Sequence, residues 1–206
     1  MYDLPHYREH DERIITEFIE RYPFAFLTGC DANNRPVATQ VPVFIEDRNG
    51  RKILSGHIMR HTDHHKAMLD NANVLAVFHG PHTYVSATWY SDPHVASTWN
   101  YMSVHARGVI RFLDCSGLEA ILRKSTLHFE NDDKHSPTVF DNLPDSFRQK
   151  VMNAIVGFEI EVSDLDAVFK LSQDKDNESF HTIIEKLEAG DEIARRVAAG
   201  MRKIRP

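Results

Sequence analysis

The sequence predicts an α+β fold: a mainly antiparallel β-barrel with peripheral and C-terminal helices. About six strand-like segments with alternating apolar residues follow one another closely near the front of the chain. The longer helical segments come afterwards, so strands do not alternate with helices as they do in a doubly wound sheet. No strand-like segment is followed by GxGxxG or by GxxxxGK with Ser or Thr, the phosphate-binding signatures of nucleotide folds. A barrel with helices is therefore favoured.

The first half of the chain contains one helix and a series of short strands. Apolar residues at helical spacing predict a helix over residues 11–21, which Pro23 ends. Strands are expected at 24–28, 37–45 and 52–56, with a hairpin turn at 47–50 between the last two. Because Pro42 cannot donate to a sheet, the second strand should have an edge or a bulge there. A short helix is expected at 64–71.

The second half contains the remaining strands and most of the helices. Strands are expected at 74–78, 83–86 and 101–112, with a turn at Gly80 and Pro81 between the first two. A helical insertion covers about 116–155, and strand patterns return at 158–162 and 168–171. Two C-terminal helices fill about 178–203, and Gly190 separates them. The length suits one domain over 1–206.

Composition excludes several classes of protein. No apolar run is long enough to span a membrane, and the N-terminus has no secretory signal pattern. The two cysteines, Cys30 and Cys115, form no CxxC pair, which favours free thiols in a reducing cytoplasm. The 24 Lys and Arg against 30 Asp and Glu give a net charge of −6, so direct binding to nucleic acid is disfavoured.

The segment 56–69 combines a strand end, a polar loop and a helix start. A helix N-terminus offers free amide donors and a positive dipole end, which suit a phosphate. Arg60 and Lys66 would add charge, and Thr62 a hydroxyl. The alternative is a solvated loop in which Thr62 or Asp63 merely caps the helix. From spacing alone, both interpretations stay open.

The same segment holds four histidines: His57, His61, His64 and His65. The spacing of His61 and His65 can bring two imidazoles to one helical face, as zinc sites require. A metal site usually needs a third ligand, and neither HExxH nor paired cysteines occur here. No resident metal is therefore predicted, and metal or haem binding by this cluster is kept as an alternative.

Aromatic residues cluster between 79 and 101. Trp89 and Trp99 lie within ten residues of each other, beside tyrosines and Asn100. Aromatic faces next to amide and hydroxyl groups suit a flat heteroaromatic ligand. They suit a dimer interface equally well, and ordinary core remains a third interpretation. No Ser-His-Asp arrangement is persuasive, so no catalytic residue is predicted.

Ordered phrases in the chain resemble the PaiB family. They are GHIMRH at 56–61, FHGPHTYVS at 78–86, WY at 89–90, STWNY at 97–101, VHARG at 104–108, IVGFEIEV at 155–162 and FKLSQ at 169–173. The opening residues Tyr2, Pro5 and Tyr7 fit as well, and the resemblance covers about residues 1–187. One phrase departs: the family often has Asn-Pro-Gln-Trp where this chain has Thr62 to His65, so an aromatic neighbour is lost.

The resemblance implies an FMN-binding split β-barrel, similar in fold to pyridoxamine phosphate oxidases, and a homodimer with FMN at the interface. It implies that Arg60, His61, Thr62 and Lys66 hold the FMN phosphate. A second set would line the isoalloxazine side or the dimer seam: Trp99, Asn100, Lys170, Ser172 and Gln173.

The function that the resemblance implies is a flavin-dependent redox or flavin-sensing role linked to transcriptional regulation. A flavin would carry any redox chemistry, and the protein would position it. Two alternatives are a DNA-binding repressor without redox activity and a haem- or metal-binding protein that uses the cluster from His57 to His65.

Overall fold

The computed structural model describes residues 1–2 and 4–205, and eight strands of this part form one curled antiparallel sheet. The strands are β1 (Arg8–Glu9), β2 (Phe24–Cys30), β3 (Pro36–Pro42), β4 (Phe44–Arg48), β5 (Arg51–Met59), β6 (Asn73–Val85), β7 (Thr98–Phe112) and β8 (Ile155–Lys170). Their order is β3-β2-β6-β7-β8-β5-β4, and β1 pairs with β8 outside this path.

Six α-helices accompany the sheet in the described part of the chain. They are α1 (Glu12–Arg21), α2 (Asp63–Asp70), α3 (Cys115–Phe129), α4 (Asp145–Ala154), α5 (Asn177–Glu188) and α6 (Glu192–Ile204). Side chains that accept hydrogen bonds from first-turn amides begin five of them: Asp11, Thr62, Asp114, Asp176 and Asp191. Such caps satisfy amides that have no partner within the helix. The predicted α+β fold is confirmed.

The chain divides into two compact units. The first unit consists of the described residues within 1–22, 78–105 and 165–205, and the second of residues 23–77 and 106–164. Helices α5 and α6 belong to the first unit and bury Phe180, Ile183 and Val197. In the second unit α3 and α4 enclose a cluster that includes Leu118, Leu122, Phe140 and Ile155. Each unit therefore has its own apolar core.

The sheet curls within the second unit. The hairpin between β4 and β5 turns at Asn49 and Gly50, whose φ angles are 56° and 80°. In β5, a side chain at Gly56 would meet the carbonyl oxygen of Pro42, at the end of β3, at 2.9 Å. The absent side chain thus lets the end of β3 approach β5 closely, which a flat sheet could not do.

Three strand predictions differ from the structure. The predicted strand 37–45 is divided at Val43 into β3 and β4, which lie at opposite ends of the sheet path. Pro42 ends β3, so the expectation of an edge at this proline is confirmed. The predicted turn at Gly80 and Pro81 is wrong, because β6 continues through both residues. The segments 158–162 and 168–171, predicted as two strands, belong to the single strand β8, which ends at Lys170.

The continuity of β6 has a tertiary cause. Gly80 faces the ring of Phe18 in α1, and a Cβ at this position would lie 2.7 Å from that ring. Glycine is therefore needed here for the close approach of α1, and not for a turn. Pro81 lies beyond the four residues of β6 that pair with β2, which end at Val77. Among the described residues no helix is both long and apolar enough to cross a membrane.

Candidate functional site

The segment predicted to bind phosphate is a strand–turn–helix. Strand β5 ends at Met59, His61 has a left-handed φ of 64°, and α2 begins at Asp63. The Thr62 hydroxyl donates to the Met59 carbonyl at 3.1 Å and accepts from the amide of His65 at 3.3 Å. We call residues 60–62, together with Lys66 in α2, the β5–α2 loop. Thr62 fixes its shape, as an N-cap residue does.

Arg60 is anchored at its base. Its amide donates to the carbonyl of Ala154 at 2.9 Å, and its Nε donates to the carbonyl of Ile155 at 2.7 Å. The terminal guanidinium nitrogens make no hydrogen bond or ion pair within residues 1–2 and 4–205. Lys66 is exposed on the first turns of α2 and makes no ion pair in that part either. Two positive groups thus flank a helix N-terminus, an arrangement suited to an oxyanion.

Not every group near the helix start favours an anion. The exposed Asp63 carboxylate accepts from the amide of His64 at 2.8 Å, which lowers the pKa of Asp63. That hydrogen bond also occupies one of the first-turn amides. The charges of Arg60 and Lys66 exceed this single negative charge, so the loop keeps a net positive charge. The residues therefore fit a phosphate, mainly through side chains and less through free backbone amides.

His65 is buried behind the loop. Its Nδ1 accepts from the His61 amide at 3.1 Å, and its ring packs edge-on against Phe112 at 4.8 Å between centroids. Burial lowers the pKa of His65, and the nearby charge of Arg60 lowers it further. Because Nδ1 accepts, the proton of the neutral imidazole sits on Nε2. His65 supports the left-handed turn at His61 from inside.

The four histidines of this segment are not arranged as a metal site. The His64 ring contacts the Thr62 hydroxyl at 3.0 Å and the Asp63 carboxylate at 3.2 Å, and His65 holds the His61 amide. His57 lies in β5, where burial lowers its pKa. In the described part of the chain no three His, Cys, Asp or Glu side chains are placed to hold a metal ion. The geometry does not support the metal alternative.

The second set of predicted residues lies in the first unit, and most of it is buried. Asn100 is fully buried and Ser172 nearly so, and the Ser172 hydroxyl donates to Asn100 Oδ1 at 3.0 Å. The Gln173 side chain accepts from the Leu171 amide at 2.7 Å and donates to the Phe169 carbonyl at 2.6 Å. These polar groups are satisfied by the protein itself.

Lys170 is also buried and faces the backbone of Trp99. Its Nζ donates to the Trp99 carbonyl at 2.9 Å and to the Thr98 hydroxyl. The ammonium lies 5.6 Å from the centre of the Tyr7 ring, and burial lowers the pKa of Lys170. Lys170 therefore holds the strand that carries Trp99.

Trp99 itself points outward. Its side chain is 54% exposed, and its ring centroid lies 6.0 Å from Tyr84 and 6.2 Å from His82. We call these three residues the aromatic patch. Of the predicted aromatic segment, this patch is the part that is available to a ligand or to a second chain. Trp89 is instead half-buried in a short 3₁₀ turn, Ala87–Trp89.

Sequence reasoning missed a buried polar group next to Lys170. Tyr7 is hydrogen-bonded to Asp174, and burial is the main reason that the pKa of Tyr7 is raised. The Tyr90 hydroxyl is buried and has no hydrogen-bond partner among the described residues. The only sequence signals were Tyr7 in the opening phrase and Asp174 directly after Gln173.

Two clefts of about 480 Å³ lie elsewhere in the protein. One is in the second unit and is lined by polar residues such as Asn71, Asn73 and Arg107, and the other is in the first unit between α1 and α6. None of the predicted site residues lines either cleft. In the β5–α2 loop His61 and Lys66 are exposed, and all three residues of the aromatic patch are exposed.

Comparisons with known proteins give a consistent result. The family described as "Putative FMN-binding domain" matches residues 1–164. The protease synthase and sporulation protein PAI 2 of Bacillus subtilis is 28% identical over 190 residues, which cover 91% of this chain and 89% of that protein.

Two solved structures share the fold at low sequence identity. The flavocytochrome Anf3 from Azotobacter vinelandii superposes with a TM-score of 0.61 at 16% identity, covering 88% of this chain and 78% of that one. The FAD and heme binding protein from Mycobacterium smegmatis superposes with a TM-score of 0.58 at 15% identity, covering 89% and 80%.

Proposed function

The chain belongs to the PaiB-like family of FMN-binding split-barrel domains, and on that premise we propose that it binds FMN with the β5–α2 loop around the phosphate. The observation that carries this proposal is the guanidinium of Arg60. It is fixed through Nε to the Ile155 carbonyl at 2.7 Å and keeps its terminal nitrogens available at the start of α2. A fixed guanidinium binds phosphate with less loss of side-chain entropy than a mobile one.

The four loop residues have different roles in this proposal. Arg60 and Lys66 supply the positive charge that the phosphate requires. His61 adopts the left-handed turn, which exposes its own side chain. The Thr62 hydroxyl is occupied by the Met59 carbonyl and the His65 amide, so Thr62 positions the loop. The bound flavin would supply redox chemistry, because no side chain of this loop can do so.

The second set of residues supports the ring side of the flavin. Trp99 offers an exposed aromatic face to the isoalloxazine or to the seam between two copies of the chain. Lys170 keeps the backbone of Trp99 in place. The buried hydrogen bonds of Asn100, Ser172 and Gln173 stabilise the neighbouring segments of the same chain. We therefore assign Trp99 a contact role and the other four a positioning role.

We further infer that the protein is a homodimer. The loop and the aromatic patch carry exposed side chains, whereas ligand sites usually enclose most of the ligand. Strand β2 also exposes Phe24 and Phe26, which are 61% and 45% accessible and point to the same side because they alternate along the strand. A second copy would cover such apolar surface and enclose the flavin.

Removing the loop charges tests the proposal. In R60A/K66A we expect FMN affinity to fall by about a hundredfold or more, since each of the two charge-assisted contacts contributes about 1.5–3 kcal/mol. Binding is measured by quenching of flavin fluorescence on addition of the apoprotein. R35A/K150A is the matched control, because both residues are exposed and it changes the net charge equally.

Riboflavin, which lacks the phosphate, makes the test specific. Wild type should bind riboflavin more weakly than FMN, and the R60A/K66A change should leave riboflavin binding unaltered. Equal affinity of wild type for FMN and riboflavin would contradict a phosphate role for the loop. An equal loss in the R35A/K150A control would assign the effect to overall charge.

A regulatory role would act through the flavin and not through direct contact with DNA. Three of the basic residues at the end of the chain are engaged within the first unit: Arg196 with Glu192, Arg202 with Glu188, and Arg205 with the Gln173 carbonyl. Salt-dependent retention of promoter DNA would contradict this view. The thiols of Cys30 and Cys115 are both free, in keeping with a cytoplasmic location.

A further inference from the structure

The cleft in the first unit lies between α1 and α6. Each helix lines it with one face, at the spacing that places residues above one another on a helix. The lining residues are Ile14, Glu17, Phe18 and Arg21 on α1, Tyr22 directly after α1, and Arg196, Ala199, Gly200, Lys203 and Ile204 on α6. Its volume of about 480 Å³ is within the range of small-molecule sites. No residue that we assign to the flavin lines this cleft.

The floor of the cleft is apolar. It is formed by Phe18, by Met102 of β7 and by Phe169 of β8, together with Leu171. The rings of Phe18 and Phe169 pack with their centres 5.1 Å apart. Opposite this floor α6 contributes the small residues Ala199 and Gly200, with Arg196, Lys203 and Ile204 also lining the cleft. A Cβ at Gly200 would lie 3.4 Å from the side chains of Leu171 and Met102. A ligand with an apolar body would bury itself between these surfaces.

The rim of the cleft carries charges of both signs. Two of these charged groups already have partners within the chain. Arg196 forms an ion pair with Glu192 at 2.6 Å, and the Glu9 carboxylate accepts hydrogen bonds from the amides of His10 and Asp11 at 2.8 and 2.9 Å. Within the described residues Arg21, Lys203 and Glu17 make no ion pair. Arg21 lies 5.8 Å from the centre of the Tyr22 ring, so the rim carries two cations without an ion pair and one such carboxylate.

We propose that this cleft binds a small amphipathic carboxylate. Its apolar body would lie on the floor between α1 and α6, and its carboxylate would be held by Arg21 and Lys203. The remaining negative charge of Glu17 would reject dianions more strongly than monoanions. The chemical class is thus an aliphatic or aromatic monocarboxylic acid. This site is independent of the flavin.

Decanoate is a suitable probe. The protein is labelled at its six methionine methyl groups, and the signal of Met102, assigned with an M102L variant, reports on the floor of the cleft. We expect decanoate to shift the Met102 signal in a saturable way. Decan-1-ol has the same chain without the charge and should bind about tenfold more weakly, and decyltrimethylammonium more weakly still.

Substitutions test the apolar interior of the cleft and its charged rim separately. A199W places a large side chain into the cleft from an exposed position and should abolish the decanoate shift. R21E and K203E should each weaken decanoate about threefold to tenfold and leave decan-1-ol unchanged. R13E is the matched control, because Arg13 is exposed on α1 outside the cleft. Flavin content and thermal unfolding of each variant show that the fold is retained.

Three outcomes would overturn the proposal. Equal affinity for decanoate and decan-1-ol would mean that the rim does not recognise a carboxylate. A Met102 signal that stays unchanged up to millimolar decanoate would mean that the cleft binds no such ligand. Self-association of the protein could also close the cleft. If the Met102 signal stops responding to decanoate as the protein concentration is raised, the cleft would be assigned to a second copy of the chain.

Discussion

At the scale of single residues, His65 is held in one tautomer by its surroundings. Its Nδ1 accepts the His61 amide, and burial is the main reason that its pKa lies below the ordinary value of 6.5. The unfolded chain therefore binds a proton more readily than the folded chain over the interval between the two pKa values. Stability due to this group is fully present above about pH 6.5 and is lost as the pH falls through that interval.

The variant H65N tests this. The Asn side chain can still accept the His61 amide but does not titrate, so the free energy of unfolding should fall less between about pH 8 and about pH 5 than in wild type. Urea unfolding across this range measures the difference. H94N changes an exposed histidine and should behave as wild type. An identical pH profile for wild type and H65N would show that His65 is not the group responsible.

The chemistry of single residues was readable where partners are close in sequence. The cap at Thr62 follows from a hydroxyl directly before a helix, and its first-turn contact was therefore predictable. The hydrogen bond between Ser172 and Asn100 joins residues 72 positions apart, and no periodic pattern in the sequence predicts such a contact. For the same reason the contact of Tyr7 with Asp174 was invisible in the sequence. Burial depends on the fold, and only the fold reveals which polar residues face inward.

At the scale of elements, most helices and strands were recoverable because their apolar periodicity is local. Helix α1 begins one residue after the predicted start, and α5 and α6 span residues 177–204, within one residue of the predicted 178–203 at both ends. Two of the three errors lie where glycine or proline has a tertiary role. Gly80 and Pro81 have the composition of a turn, yet they continue β6 because Phe18 occupies the space above Gly80. A turn signal is therefore weak evidence when a helix packs on the same strand.

Gly108 shows the same principle in β7. A Cβ at this position would fall well inside contact distance of the Glu161 carbonyl oxygen in β8, which is backbone and cannot rotate away. We expect G108A to lower the free energy of unfolding by roughly 1–3 kcal/mol, as overpacking does. Denaturant unfolding measures this. V109A changes the exposed neighbour on the same strand and should cost much less. A G108A protein as stable as V109A would mean that β7 and β8 can separate without penalty.

At the scale of the whole molecule, the proposed flavin site and the proposed dimer depend on each other. His61, Lys66 and Trp99 are exposed in a single chain, so a tightly bound flavin requires further protein surface. If a second copy supplies it, flavin binding and dimerisation are linked, and each favours the other by mass action. The sequence could indicate the phosphate loop but not this coupling, because periodicity within one chain contains no information about a partner.

Replacing the exposed phenylalanines of β2 tests the coupling. F24S/F26S removes apolar surface from the exposed side of β2 and leaves the buried Ala25 and Leu27 in place. We expect wild type to sediment as a dimer and the variant as a monomer, with FMN affinity lowered at least about tenfold, since the enclosing surface is lost. In wild type, dilution below the dimer dissociation constant should release FMN in parallel. F147S removes an equally exposed phenylalanine from α4 and should change neither property. A wild-type monomer that binds FMN stoichiometrically would contradict the coupling, and the β5–α2 loop would then have to hold the flavin within one chain.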